Sequence, residues 1–139
     1  QVLALKGDAV RGEGLYTKLC SPCHRLHEQG FSLGPELETV ATREPTSLVM
    51  DIDNPNRALN PAYQAYLIKT AAEEITGIIA SETPANITVR RPLGDQVTLQ
   101  RQDVQNLTAL PTSIMPEGFD SGMSAQDFAD LLALLLQRR

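Results

Sequence analysis

Cys20-Ser21-Pro22-Cys23-His24 is a C-x-x-C-H run, the attachment signature of c-type haem, and it constrains the fold more than any other feature of the chain. Two thiols at this spacing match the two vinyl groups along one edge of a porphyrin, to which they bond as thioethers. The next residue then lies beneath the ring, where its imidazole ligates the iron. The run predicts one covalent haem c, bonded to Cys20 and Cys23, with His24 as the proximal metal ligand. Both cysteines of the chain are used, so none is left for a disulfide.

Three other readings compete. A thioredoxin-like redox pair needs a strand before the C-x-x-C and a βαβ context, whereas the stretch from Asp8 to Leu19 reads as helix. A zinc site from Cys20, Cys23, His24 and His27 has suitable ligand types, but it crowds them into one short segment with no second knuckle. The last reading is an inert, buried coincidence.

Length and composition fit the haem reading. At 139 residues the chain is a single domain, 1–139. Aromatic residues are only 4% and tryptophan is absent, so a haem would supply the large flat apolar body the core lacks. The formal charge is −5, and two propionates would deepen it, which argues against a nucleic-acid partner. No apolar run reaches the ~18 residues of a membrane span. No signal peptide is recognisable at Gln1 to Gly7. Covalent haem is attached outside the bacterial cytoplasmic membrane, so an export signal is expected upstream and the location is periplasmic or otherwise exported. The chain then reads as an excised domain or a processed product.

Asp8 can cap a first helix carrying Gly12, Leu15, Tyr16 and Leu19 on one face. His27 to Arg43 reads as irregular, and a short helix is expected from Thr46 or Ser47 to about Asp53, ended by Asn54-Pro55. From Tyr63 the period changes. Tyr63–Lys69, Glu74–Ala80, Asn86–Arg90 and Gln96–Gln100 are rich in β-branched residues and nearly alternate, as in a small antiparallel sheet; Asp103 to Leu107 adds a short fifth strand. Such a sheet is too small to fold alone. Its faces are therefore expected to rest on the haem-bearing helices or on the region around Tyr63 and Tyr66, walling one side of the haem and leaving electrons to pass at the edge nearest Cys20 and Cys23. A capping box of Ser124 and Asp127 opens the last helix, with Phe128, Leu131, Leu132 and Leu135 as its buried stripe.

Electron-transfer haems carry two strong axial ligands, commonly His and Met in proteins of this kind. Met123 precedes a helix cap and reads as a hydrophobic staple to Phe128. Met50 lies in an apolar helical run and reads as core. His27 is too close to His24 to reach the opposite ring face and reads as a solvated surface residue. Met115 sits in the loop Ser113–Phe119, where Pro116 holds it extended. A stiff loop can hold a thioether over an iron, so Met115 is the expected distal ligand.

A glycine-containing first helix, C-x-x-C-H, Gly34-Pro35-Glu36-Leu37, Met115-Pro116 and a leucine-rich last helix occur in the order seen in class I cytochromes c, which this chain resembles over residues 7–55 and 111–139. The resemblance implies that Pro35 accepts the His24 Nδ1–H and that Leu37 packs on the haem. It implies that Gly12 and Tyr16 lie where the first helix crosses the last, and that Arg43 can bond a propionate. It also implies a mainly α cytochrome c fold with the strands of 63–110 inserted as a small antiparallel sheet, α+β overall. The longer layout, with Asp53-Asn54-Pro55-Asn56 and Met115-Pro116-Glu117-Gly118, is similar to a bacterial haem-binding domain found C-terminal to β-propeller dehydrogenase and helical-repeat regions.

The function this implies is one-electron transfer, with a fused or partner dehydrogenase as donor and another cytochrome or oxidase as acceptor. No enzymatic residue of the chain's own is needed, although it can be part of a larger oxidoreductase. Two alternatives stand beside it: a haem sensor or peroxidase-like enzyme with an open sixth site, and a docking module in which the haem is a structural staple and 63–110 binds a partner through a strand edge.

Overall fold

The computed structural model describes residues 4–137. Asp8 caps α1 (Ala9–Leu15), its carboxylate accepting the Val10 and Arg11 amides. The helix then widens into a π turn over Tyr16–Cys20, where the Ser21 amide donates to the Tyr16 carbonyl at 2.9 Å. Single π turns are rare and concentrate at functional sites. This one ends on the first motif cysteine. At the other end of the chain α4 (Ala125–Leu135) opens with the Ser124–Asp127 capping box read from the sequence.

α1 crosses α4 too closely for any side chain between the backbones. A Cβ at Gly12 would lie 2.1 Å from the Asp130 carbonyl oxygen, and one at Gly7 2.0 Å from that of Ala129. Beyond the crossing, Tyr16, Leu26, Leu37, Leu48 and Met123 join the buried stripe of α4 in one apolar cluster. Met123 thus sits in the core beside Phe128, as its staple position implied. α2 (Pro45–Asp53) and the single turn α3 (Phe119–Gly122) complete the helices. Met50 departs from the sequence reading: it faces outward from α2 and is 46% exposed.

The strands are β1 (Arg25–Leu26) and β2 (Gln29–Gly30), a hairpin directly after the motif, then β3 (Ala65–Thr70), β4 (Glu74–Glu82), β5 (Asn86–Arg90), β6 (Gln96–Gln100) and β7 (Val104–Ala109). β3 to β6 form an antiparallel meander, and β7 returns to the far side of β3, giving the order β6-β5-β4-β3-β7. The expectation of a mainly α fold is overturned. The helices are short, and a five-stranded sheet plus a two-stranded one hold as much of the chain as they do. The sequence reading treated 63–110 as a minor insert and the stretch after the motif as irregular. In fact the sheet is the largest regular unit, and residues 25–40 fold as a hairpin and a 3-10 turn.

The sheet also does not rest its faces on the helices. Ile68, Ile75, Ile87 and Val89 form its own core, flanked by Tyr66, Ile79, Val97, Leu99 and Val104, and none of these belongs to the helical cluster. Gly77 lets β5 approach β4 here, since a Cβ would lie 2.5 Å from a Val89 methyl. The sheet meets the motif at one turn, Pro92–Gly94. The Leu93 amide donates to the Pro22 carbonyl at 2.8 Å. The Phe31 ring packs over Gly94, where a Cβ would lie 2.8 Å from it.

Candidate functional site

Every carbonyl of the C-x-x-C-H segment has a partner, and the partners come from four different parts of the chain. Cys20 O accepts the Cys23 and His24 amides at 3.1 and 2.9 Å, a local turn. Ser21 O accepts the Phe31 amide at 3.0 Å, and Cys23 O accepts both Leu33 and Gly34 amides at 3.0 and 2.7 Å. Pro22 O takes Leu93, from the sheet. The Tyr16 hydroxyl shares its proton between the carbonyls of His24 and Gln29, at 2.9 and 2.8 Å. Backbone groups left unpaired in a buried loop are costly, and full pairing fixes the loop that presents both thiols and the imidazole.

Gly30 is part of that fixing. It closes the hairpin at φ +92, and a Cβ there would lie 2.1 Å from the His24 carbonyl oxygen. The hairpin turn itself places His27 and Glu28 in the left-handed region, at φ 50 and 69, a conformation that favours glycine and asparagine. The His27 amide is held by Glu38 Oε1 at 2.8 Å. His27 is not the solvated residue its sequence position implied: its side chain is 21% exposed, and its Nε2 is buried with no hydrogen-bond partner among the described residues.

The imidazole of His24 is fixed as expected from Pro35. Its Nδ1 lies 2.7 Å from the Pro35 carbonyl oxygen. A carbonyl only accepts, so Nδ1 carries the proton and Nε2 the free lone pair. Burial lowers the pKa of His24, against the Pro35 bond that raises it, so the ring is neutral near pH 7. Gly34 makes room for this ring, since a Cβ there would lie 2.6 Å from His24 Cε1. The two thiols are free and partly buried. Burial, and then the charge of Cys23, push Cys20 up to about 11, and burial raises Cys23 as well. They therefore stay neutral thiols, unlike the low-pKa thiolate of a redox-active C-x-x-C pair. Among the described residues no group of three or more His, Cys, Asp and Glu is arranged to hold a metal ion.

A haem fits this donor set. The thiols and the imidazole sit on one fixed loop, Nε2 is the free nitrogen, and Gly34 lets its backbone pack directly against the ring. Leu37 is buried in the helical cluster. Arg43 pairs with Asp51 at 2.5 Å, and Arg57 takes the other Asp51 oxygen at 3.1 Å. Met115 is half-buried in its loop. Its amide donates to Ser113 Oγ at 3.1 Å.

Sequence reasoning missed Gly34, the Tyr16 hydroxyl and Leu93. Gly34 stands out only through the resemblance, and Tyr16 through its helix face as well. Pro92-Leu93-Gly94-Asp95 reads as a turn, but no local signal shows that the Leu93 amide bonds across the fold. Among the described residues no helix is long and apolar enough to cross a membrane.

The cytochrome c family profile matches residues 9–139. A cytochrome c-553-like protein of Synechocystis sp. is 42% identical over 50 residues, which are 36% of this chain and 47% of that protein. This chain thus spans about half the length of that relative.

Proposed function

We propose that this chain, which belongs to the cytochrome c family, is an exported one-electron carrier in which Cys20 and Cys23 bond one haem c and His24 and Met115 ligate its iron. The observation that carries this is the His24–Pro35 bond, which fixes the ring and frees Nε2 in a chain whose only two thiols stand one and four residues before it. When bound, such a haem supplies reversible one-electron chemistry at iron.

The chain's own residues do the rest. Pro35 orients His24 and makes it a stronger donor. The paired carbonyls of the motif keep the loop from moving between oxidation states. Leu37 offers an apolar surface. Arg43 and Arg57 share a single carboxylate, so the cluster keeps a net positive charge toward a propionate. With a haem bound, the Met115 thioether would favour the reduced iron and leave no ligand position for a substrate, as suits a carrier. The donor is a fused or partner dehydrogenase, and the acceptor is another cytochrome or oxidase. The whole of 1–139 acts as one unit, the sheet of 63–110 joined to the motif through Leu93.

The test is optical. Ferric protein is expected to show the weak near-infrared charge-transfer band of methionine–haem ligation, and Met115→Ala to abolish it. A band that survives Met115→Ala and vanishes in Met123→Ala or Met50→Ala overturns the assignment.

A further inference from the structure

We infer that Asn56 is the positioning residue of the distal loop: its carboxamide clasps residues 113–117 at both ends and so keeps Met115 where a ligand must be. This rests on the assignment of Met115 above. Asn56 Oδ1 accepts the Ser113 amide at 2.6 Å. Its Nδ2 donates to Glu117 Oε1. Inside this clasp Ser113 Oγ accepts the Met115 amide at 3.1 Å. One side chain therefore holds the two residues that stand two positions before and two positions after Met115, and one of these holds Met115 itself.

The chemistry requires asparagine. The loop offers an N–H on one side and a carboxylate on the other, so the clasp must accept and donate at once, which a carboxamide does and a carboxylate cannot. Asn56 follows directly on α2, and the Arg57 amide donating to Asn54 O at 3.1 Å closes the turn that aims it. The distal loop is thereby tied to the end of α2. A thioether binds ferric iron weakly, and an untied loop would let a stronger ligand displace it. Clasping the loop lowers the rate and extent of that exchange without touching the iron.

Displacement of the sixth ligand measures this directly. Holoprotein carrying Asn56→Ala should keep the near-infrared band in buffer yet bind imidazole in the ferric state at least about tenfold more tightly, the factor that ~1.4 kcal/mol corresponds to. Ser113→Ala should move affinity in the same direction. The double variant should add little to Asn56→Ala, because Ser113 acts on Met115 downstream of Asn56. Should Asn56→Ala fail to load haem, the isosteric Asn56→Asp keeps the acceptor, turns the donor into a carboxylate that repels Glu117, and should raise imidazole affinity in the same direction. Wild-type imidazole affinity in these variants, with or without a lowered melting temperature, overturns the clasp and leaves the ligand standing. Met115→Ala in the same titration separates the two ideas: a wild-type band and affinity there would remove the ligand assignment itself.

Discussion

The helical part and the sheet of this chain are held together by different means. Around α1 and α4 the backbones touch at Gly7 and Gly12, a buried aspartate bonds across the crossing, and the motif loop has all its carbonyls paired. That half is shaped to receive a group that no codon specifies. The sheet has a cluster of four fully buried side chains and depends on its ladders, with a bulge in β7 at Gln105 and another in β4 at Ala80. One half carries the residues that would hold a haem, and the other has an apolar cluster of its own. The C-x-x-C-H motif and the residues that fix its loop lie in the helical half, and the sheet reaches that loop through the Pro92–Gly94 turn and an Arg90–Ser32 bond.

The largest effect that separates the halves should come from Cys23→Ala. Two thioethers need both thiols, so this variant can form only the Cys20 bond and should load less haem, whereas Cys20→Ala/Cys23→Ala together should release any haem into acidified organic solvent and the parent chain keeps the chromophore. Hydrogen exchange should then show α1 and α4 losing protection by a larger factor than β3, β4 and β5. Equal loss in both halves would mean that the sheet's small core cannot stand without the haem, and the comparison drawn here would break.

A second, smaller effect is confined to the helical half and appears on acidification. Asp130 is almost fully buried and accepts bonds from Arg11 Nε at 2.8 Å, Gln126 Nε2 at 2.9 Å and the Asp8 amide at 2.8 Å. The Arg11 bond, then the Gln126 bond, hold its carboxyl down at about 2. A group whose folded pKa is depressed stabilises the fold above its unfolded pKa, near 4, and loses that stabilisation as pH falls toward the folded value. Asp130→Asn should therefore lower the denaturation midpoint at pH 6, and the gap to the parent chain should close between about pH 4 and pH 2. A gap that stays constant across that range would show that shape rather than charge holds the crossing.

What the sequence revealed follows the same division. The motif, the last helix with its cap and the span of β5 and β6 were legible because each is local: a spacing, a capping pair, an alternation of β-branched residues. The mainly α expectation failed because it weighed the resemblance at the two ends above the strand signals between them. Where the sheet faces point was not legible, since alternation shows that a face is buried but not what buries it. Asn56, Gly34 and Leu93 act through partners that are distant in sequence or come from the backbone. His27 and Glu28 carry no turn-forming signature, and the structure nonetheless gives both a positive φ.

The smallest effect tests the joint between the halves. Leu93 adopts φ 64 and ψ 29, a left-handed conformation that costs a side-chain-bearing residue about 1 kcal/mol. Its side chain is 65% exposed, so it recovers little of that by burial. What the turn uses is its amide, donated to the Pro22 carbonyl between the two motif cysteines. Leu93→Gly keeps the amide and removes the strain, and the added freedom of glycine in the unfolded chain offsets part of the gain. The net should be stabilisation of ~0.5 kcal/mol in urea denaturation of the holoprotein. Leu93→Pro removes the donor and forbids the positive φ, so it should detach the sheet from the motif and lower stability, with exchange rising first at Phe31, Leu33 and Gly34. If Leu93→Gly instead destabilises by ~1 kcal/mol or more, the exposed leucine is itself a contact, and the two halves are joined by apolar packing as well as by one backbone bond.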